Sequence, residues 1–275
     1  MFELILGLVA GRLFIGLALA ALVSVAAWWL GALSGNGAVA AAILGGLTFG
    51  LGGLPAAILL IAFFALSSLL SRAFAKRKQK VTSNFAKGGK RDWAQVAANG
   101  GMGILALLAG AVGWLATPVA WVAFAASLAA ANADTWATEL GVLSAKPPRL
   151  ITTGKSVPRG TSGGVSVLGN MVALLAAAFI AILAWLLVPT SLVLIPIVTL
   201  AGLLGSFFDS YLGAMLQAIY YCPKCKKETE RHPQHNCGTY TTLRRGWAWL
   251  DNDLVNFFAS SAGALLASGA ATSFL

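Results

Sequence analysis

The chain has little charge and almost none of the negative sign. Of 275 residues, nine are Asp or Glu, two are His and three are Cys, against 19 Lys and Arg. Hydrophobic residues make up 58% and charged ones 10%, and apolar runs of about 17 or more residues recur from end to end, more than a soluble core needs. This excludes a soluble domain and predicts an all-α polytopic transmembrane bundle. A Walker phosphate loop is missing. The basic stretches lack interleaved aromatics and a recognisable binding fold, which excludes nucleic acid as a partner. No small-residue cleavage site follows Arg12, so the first segment is expected to be retained. With no low-complexity linker and no repeat, the reading is one membrane domain over 1–275 with a small insert at 221–245.

What is there begins with seven or eight spans, drawn at 4–30, 37–52, 54–74, 93–115, 117–138, 164–188, 191–220 and 254–274. The second is short and Gly-rich. The basic residues cluster: eight lie in 72–91, four in 146–159 and six in 224–245. The intervening spans come in pairs, so all three basic loops can face one side, and the positive-inside rule makes that side cytoplasmic.

The few carboxylates are informative by position. Asp134 and Glu139 end one apolar segment, and Asp209 lies inside another, in Gly205-Ser-Phe-Phe-Asp209-Ser210-Tyr-Leu-Gly213. A carboxylate at the centre of a span costs about 2.5 to 3.5 kcal/mol even on the lenient insertion scale, so it needs a cation, a proton or a partner. Gly205, Asp209, Gly213 and Gln217 recur at four-residue steps, one small and polar stripe. Asn132 shares nearly the same face as Glu139. Two carboxylates from different helices with hydroxyls nearby suit Mg2+; helix–helix hydrogen bonding and a proton or Na+ pathway are the alternatives.

Upstream of the sixth span, Thr152-Thr-Gly-Lys155-Ser-Val-Pro-Arg159-Gly160-Thr161-Ser162-Gly163-Gly164 is a basic, glycine-rich loop entering a helix. Free N–H groups at a helix start bind phosphate oxygens, with Lys155 and Arg159 adding charge. Ser162, Ser166 and Asn170 continue it as a polar stripe. At two other boundaries, Asp92, Gln95 and Asn99 follow Lys87 and Arg91 along one face, and Asp251, Asn252, Asp253 and Asn256 open the last span. Capping accounts for Asp251; Asn99 and Asn256 sit deeper, where their amides need partners.

The insert reads Cys222-Pro-Lys-Cys225, nine residues, then His235-Asn-Cys237. Cys-x-x-Cys lets two thiolates meet one tetrahedral ion, and His with a third Cys completes a closed structural Zn2+ shell. His232 competes with His235 for the fourth position.

The ordered blocks KGGKRDWAQVAANGG, ANADTWATELG, ITTGKSVPRGTSGGVS, GSFFDSYLGAMLQ, CPKCKKETERHPQHNCG and WLDNDLVNF resemble the integral membrane family that contains transmembrane protein 19 and the phytyl-phosphate kinase of plants and cyanobacteria. They span about 87 to 258. The resemblance implies a prenyl phosphate kinase, distantly similar to CTP-using phytol and dolichol kinases, with an isoprenoid phosphate lipid and a nucleotide as partners in the bilayer. It implies Mg2+ at Asp134 and Asp209 with Glu139, phosphates held by Lys155, Arg159 and the segment Gly160, Thr161, Ser162, Gly163 and Gly164, and further substrate contacts from Lys87, Arg91, Gln95, Asn99, Asn132, Ser210, Asp253 and Asn256. A secondary transporter or cation channel using the same carboxylates, and a lipid cytidylyltransferase, are the competing readings.

Overall fold

The computed structural model describes residues 2–74, 87 and 89–274. Among them are seven helices: α1 Phe2–Trp29, α2 Gly35–Ala73, α3 Trp93–Ala111, α4 Thr117–Gly141, α5 Val167–Leu187, α6 Leu194–Met215 and α7 Asn252–Ala271. Six are long and apolar enough to cross a membrane. The exception is α4, whose last three turns carry Asn132, Asp134, Thr135, Thr138 and Glu139.

One of the six counts twice. α2 has 39 residues and would be about 58 Å long if straight. It breaks at Gly53, where φ 67° and ψ −162° suit only glycine, and Pro55 follows without an N–H to give. The Arg72 guanidinium, at the far end of α2, donates to the Leu30 carbonyl just before its start. The two arms therefore form a hairpin, and they correspond to the expected spans 37–52 and 54–74. Each arm is of bilayer length.

Polar residues start the helices and mark one end of the bundle. Ser34 caps α2, Asp92 caps α3 in a reciprocal box with Gln95, Ser166 caps α5 and Asp251 caps α7. All four lie at the end that also receives the C-termini of α4 and α6. The turn after α1 is pinned there by Arg91, whose N–H donates to Ala32 O and whose carbonyl accepts from Ser34 N–H, both at 3.0 Å. The described parts of all three basic loops thus share this end; Lys76, Arg77, Lys78 and Lys80 lie outside the described residues.

α4 is the axis of the bundle. Val119 to Ala133 is buried without interruption, because alanines on every side let neighbours approach closely. A Cβ at Gly205 of α6 would meet Ala130 Cβ at 2.6 Å and Ala259 O at 2.8 Å. Asn132 ties three helices: its Nδ2 donates to Ala176 O at 2.9 Å and its Oδ1 accepts from Ser67 Oγ at 3.3 Å.

The expected span 191–220 ends early, because Ile219–Cys222 is strand β3. It is central in a sheet of order β4-β3-β5, with β4 Lys227–Thr229 and β5 Thr242–Arg245. Arg245 closes the end of α6 by donating to Gly213 O at 3.0 Å and Ala214 O at 2.8 Å. A second pair, β1 Arg149–Leu150 with β2 Gly164–Val165, ties the ends of the loop before α5.

Gly205→Val is expected to lower the unfolding temperature in detergent, since over-packing costs about 1 to 3 kcal/mol. Gly269→Ala, with open space around the new Cβ, is the control and is expected to leave it unchanged or slightly raised.

Candidate functional site

At the polar end, α4, α5, α6 and the loop before α5 enclose a cleft of about 150 Å³. Asp134 projects from α4, and Asp209, with Ser206 and Ser210, from the last turns of α6. The two carboxylates lie within hydrogen-bonding reach of each other. Asp209 Oδ2 is shielded from solvent and has no hydrogen-bond partner. Two half-buried carboxylates this close favour a shared proton or a cation.

Facing them is the segment 159–166. Gly160 and Gly163 have φ of 82° and 81°, which turns the chain so that this loop lines the cleft. Gly163 also lies hard against α6, since a Cβ there would be 2.5 Å from Ala214 Cβ. Arg159 lines the cleft while its Nη2 donates to the carbonyls of Ser144 at 2.6 Å and Ala145 at 3.2 Å. Ser162 Oγ donates to Gln217 Oε1 at 2.6 Å, and Thr161 Oγ1 to Pro158 O at 2.8 Å. Asn170, one turn into α5, and Asn252, at the start of α7, complete the lining.

Several expected site residues lie elsewhere, each for a physical reason. Glu139 is five residues beyond Asp134, about 140° around the helix, so it accepts from Ser71 Oγ at 2.8 Å and interacts with the charge of Arg91. Asn132 is fully buried and spends its amide on Ser67 and Ala176. Lys155 is exposed and lines neither cavity described here. Asp253 and Asp92 both bind Lys87, the Asp92 contact being 2.7 Å. Burial pushes the Lys87 ammonium down, but the hydrogen bonds to Asp253 and Asp92 outweigh it, so its pKa is raised. Lys87 is thus a clamp between the loop before α3 and α7.

Arg91, Gln95 and Asn99 line a separate apolar groove of about 450 Å³ between α1, both arms of α2 and α3, which shares no residue with the cleft. Arg91 lies over Phe63 at 5.5 Å and Phe64 at 5.4 Å. Burial brings its pKa down to about 10, so it stays a cation at neutral pH. Gln95 Oε1 accepts from Asp92 N–H, and Asn99 Nδ2 donates to Gln95 O. Asn256 lines neither cavity.

Of two further cleft residues, one is legible in the sequence and the other is not. Gln217 extends the stripe of Asp209 by two turns, a usable clue. Glu230 comes from the insert, and only the strand pairing Tyr220 with Thr229 brings it to the cleft.

The insert gathers Cys222, Cys225, His235 and Cys237, whose ligand atoms all lie within 4.8 Å of one another. His235 Nδ1 is 3.3 Å from Cys237 Sγ and 3.5 Å from Cys225 Sγ. His232 instead stacks on Tyr220 with ring centroids 4.4 Å apart, which assigns the fourth position to His235. Hydrogen bonds from Thr239 and His235 bring the Cys237 thiol down to about 5, whereas the hydrogen bond to Cys237, burial and the neighbouring Cys222 push Cys225 up to about 11. Thiols this close resist losing further protons unless a cation joins them. The cluster has the donor set of a closed tetrahedral metal site.

Comparison with known proteins agrees with this architecture. The chain is 36% identical over 222 residues to protein PGR of Arabidopsis thaliana, 72% of this chain and 75% of that one. It is 32% identical over 188 residues to an uncharacterized membrane protein of Methanocaldococcus jannaschii, with 67% and 75% covered. Protein VTE6, chloroplastic, of A. thaliana is 26% identical over 238 residues, 86% of this chain and 64% of the relative. No solved structure matches the chain. With a family match over residues 18–264, nearly its whole length, the chain belongs to the integral membrane protein DUF92 family.

Proposed function

We propose that the protein is a phosphotransferase that converts an isoprenoid monophosphate of the phytyl or geranylgeranyl type to the diphosphate, with a nucleoside triphosphate, CTP foremost, as donor. The observation that carries this reading is a single polar cleft in which Asp134 and Asp209 face Arg159 and the glycine turn 160–164 at the start of α5. The sequence resemblance to a family with a phytyl-phosphate kinase supports it.

In the reaction an acceptor phosphate oxygen forms a bond to the γ-phosphorus, the bond from that phosphorus to the β–γ bridging oxygen breaks, and the nucleoside diphosphate leaves. The acceptor oxygen is already anionic, so no general base is required; the difficulty is holding two anions together. Mg2+ at Asp134 and Asp209 would neutralise the phosphate oxygens and hold the donor. Arg159 and the N–H groups entering α5 bind further phosphate oxygens. Ser206, Ser210 and Asn170 are hydrogen-bonding groups for orientation. Glu139 is left out of the metal set, and Lys155 belongs to the loop's outer rim. The lipid chain lies against the exposed apolar side chains beside the cleft, Met171 of α5 and Phe208 and Tyr211 of α6. The cleft opens on the side of the basic loops, which the positive-inside rule makes cytoplasmic.

The metal of the insert is zinc in this reading, held by Cys222, Cys225, His235 and Cys237 in a closed, structural role. Ion transport through the same carboxylates draws on one observation, the break of α2 at Gly53. A paired break in the other half of the chain is not found among the described helices.

Incubation with geranylgeranyl or phytyl monophosphate, Mg2+ and each of CTP, UTP, ATP and GTP, read by mass spectrometry, is expected to give the diphosphate. Asp209→Asn should reduce its formation by about 100-fold or more. A CMP-lipid with pyrophosphate would identify a cytidylyltransferase instead, and nucleotide-free ion flux in liposomes without lipid product would favour transport. Metal analysis is expected to find about one zinc per chain, none in Cys222→Ser, Cys225→Ser, and an unchanged amount in His232→Asn.

A further inference from the structure

Among the described residues α1 packs on α2 and on no other helix to a comparable extent. The space left between α1, the two arms of α2 and α3 is the groove of about 450 Å³. Along α1 it runs from Ala27 to Gly16, a rise of about 16 Å. That is the depth of one leaflet, half of a hydrocarbon core about 30 Å thick. The walls are apolar, and Leu19, Leu22, Val23 and Ile61 are exposed at the rim, so the groove opens sideways to the bilayer.

The end of the groove nearest the loops is cationic. Arg91 lies there on the rings of Phe63 and Phe64. Glu139 acts on its charge from α4, but among the described residues no acceptor takes a hydrogen bond from the guanidinium; the bonds to Ala32 and Ser34 use the backbone. Gln95 spends its Oε1 on the Asp92 N–H, which leaves its amide nitrogen as a donor, and Asn99 turns its own to Gln95 O. Two more cations flank the mouth. The Arg72 guanidinium donates to Leu30 O, and Lys90 Cε lies 3.7 Å from where a Cβ on Gly31 would be. Residues 4–91 contain no Asp or Glu, and Asp92 is bound to Lys87. An apolar trough one leaflet deep, with a guanidinium lacking an acceptor at its headgroup end, is complementary to a lipid phosphate, and basic pockets between spans on the cytoplasmic side take such headgroups.

We propose that the groove is a binding site for an anionic phospholipid from the leaflet on the side of the basic loops, with one acyl chain between α1 and α3 and the phosphate on Arg91. The bound chain supplies the contact that α1 and α3 do not make with each other. The occupant is a bilayer lipid because the groove is entered from the bilayer and shares no residue with the cleft. α4 stands between the two, with Asp134 on the cleft side and Glu139 toward Ser71 of α2. The inference is independent of whether the cleft transfers phosphate.

The test is native mass spectrometry of the detergent-purified full chain, titrated with phosphatidylglycerol or with phosphatidylcholine of the same acyl chains, with circular dichroism to check the fold. The protein is expected to retain phosphatidylglycerol in preference to phosphatidylcholine. Arg91→Met, which keeps an apolar stem over the phenylalanines, should weaken that binding by about tenfold or more, and Lys90→Gln, at an exposed side chain, by about fivefold. Arg244→Gln, exposed on β5, and Asp209→Asn should leave it unchanged, and inorganic phosphate should not compete. Unchanged affinity in Arg91→Met, or in Lys90→Gln should the first variant not fold, would overturn the site. Displacement by inorganic phosphate would overturn the role of the lipid chain. Arg91-dependent binding of geranylgeranyl monophosphate in preference to phosphatidylglycerol would overturn the choice of occupant and make the groove a substrate site. Failure of the diphosphate assay would leave all of these outcomes readable.

Discussion

The rest of the structure depends on the close packing of α4. A helix surrounded on all sides can bring polar groups into the bundle only if its neighbours come near enough to partner them, and small residues allow that approach. The alanines from Ala120 to Ala133 supply it on α4, and Gly202 and Gly205 supply it on α6, where a Cβ would lie 2.7 Å from Ala129 Cβ and 2.6 Å from Ala130 Cβ. The same contact that excludes side chains in the middle of these helices brings Asp134 and Asp209 together one turn further on. Packing and site share one cause.

Around this axis the polar end is assembled from parts that hold each other. Arg91 ties the loop before α3 to the turn after α1. Lys87 ties the same loop to Asp253 of α7. Arg245 and Gln217 tie the insert to the end of α6. None of these contacts touches the bilayer face, so the helices can remain apolar outside while the cleft is polar inside. The chemistry follows from that separation. In the proposed reaction, phosphate groups would enter from the charged side, the lipid chain would stay with the apolar surface, and the two would meet only at the cleft.

Much of this was legible in the sequence because the responsible signals are local. The run Gly50-Leu-Gly-Gly53-Leu-Pro55 announces the break in α2, the Cys-x-x-Cys and His-x-Cys halves announce their cluster, and Asp209 on a stripe of small residues announces an inward carboxylate. The sequence was least legible where position depends on rotation or distant pairing. Glu139 and Asn132 turn away from the cleft, toward the second arm of α2 and α5. Gln95 and Asp92 cap the start of α3 in a reciprocal box. Lys87 and Asp253, 166 residues apart in the chain, neutralise each other, which no spacing rule reveals. Glu230 reaches the cleft through a three-stranded sheet whose strands are too short to be read from periodicity.

The central claim is that the Asp134–Asp209 cleft is where a metal–nucleotide complex binds. A structure determined with Mn2+ and a non-hydrolysable CTP analogue tests it most directly. The account predicts an anomalous peak between Asp134 and Asp209, with the analogue's phosphates against Arg159 and the 160–164 turn. An empty cleft with the nucleotide bound elsewhere, such as the Arg91 groove, would contradict it.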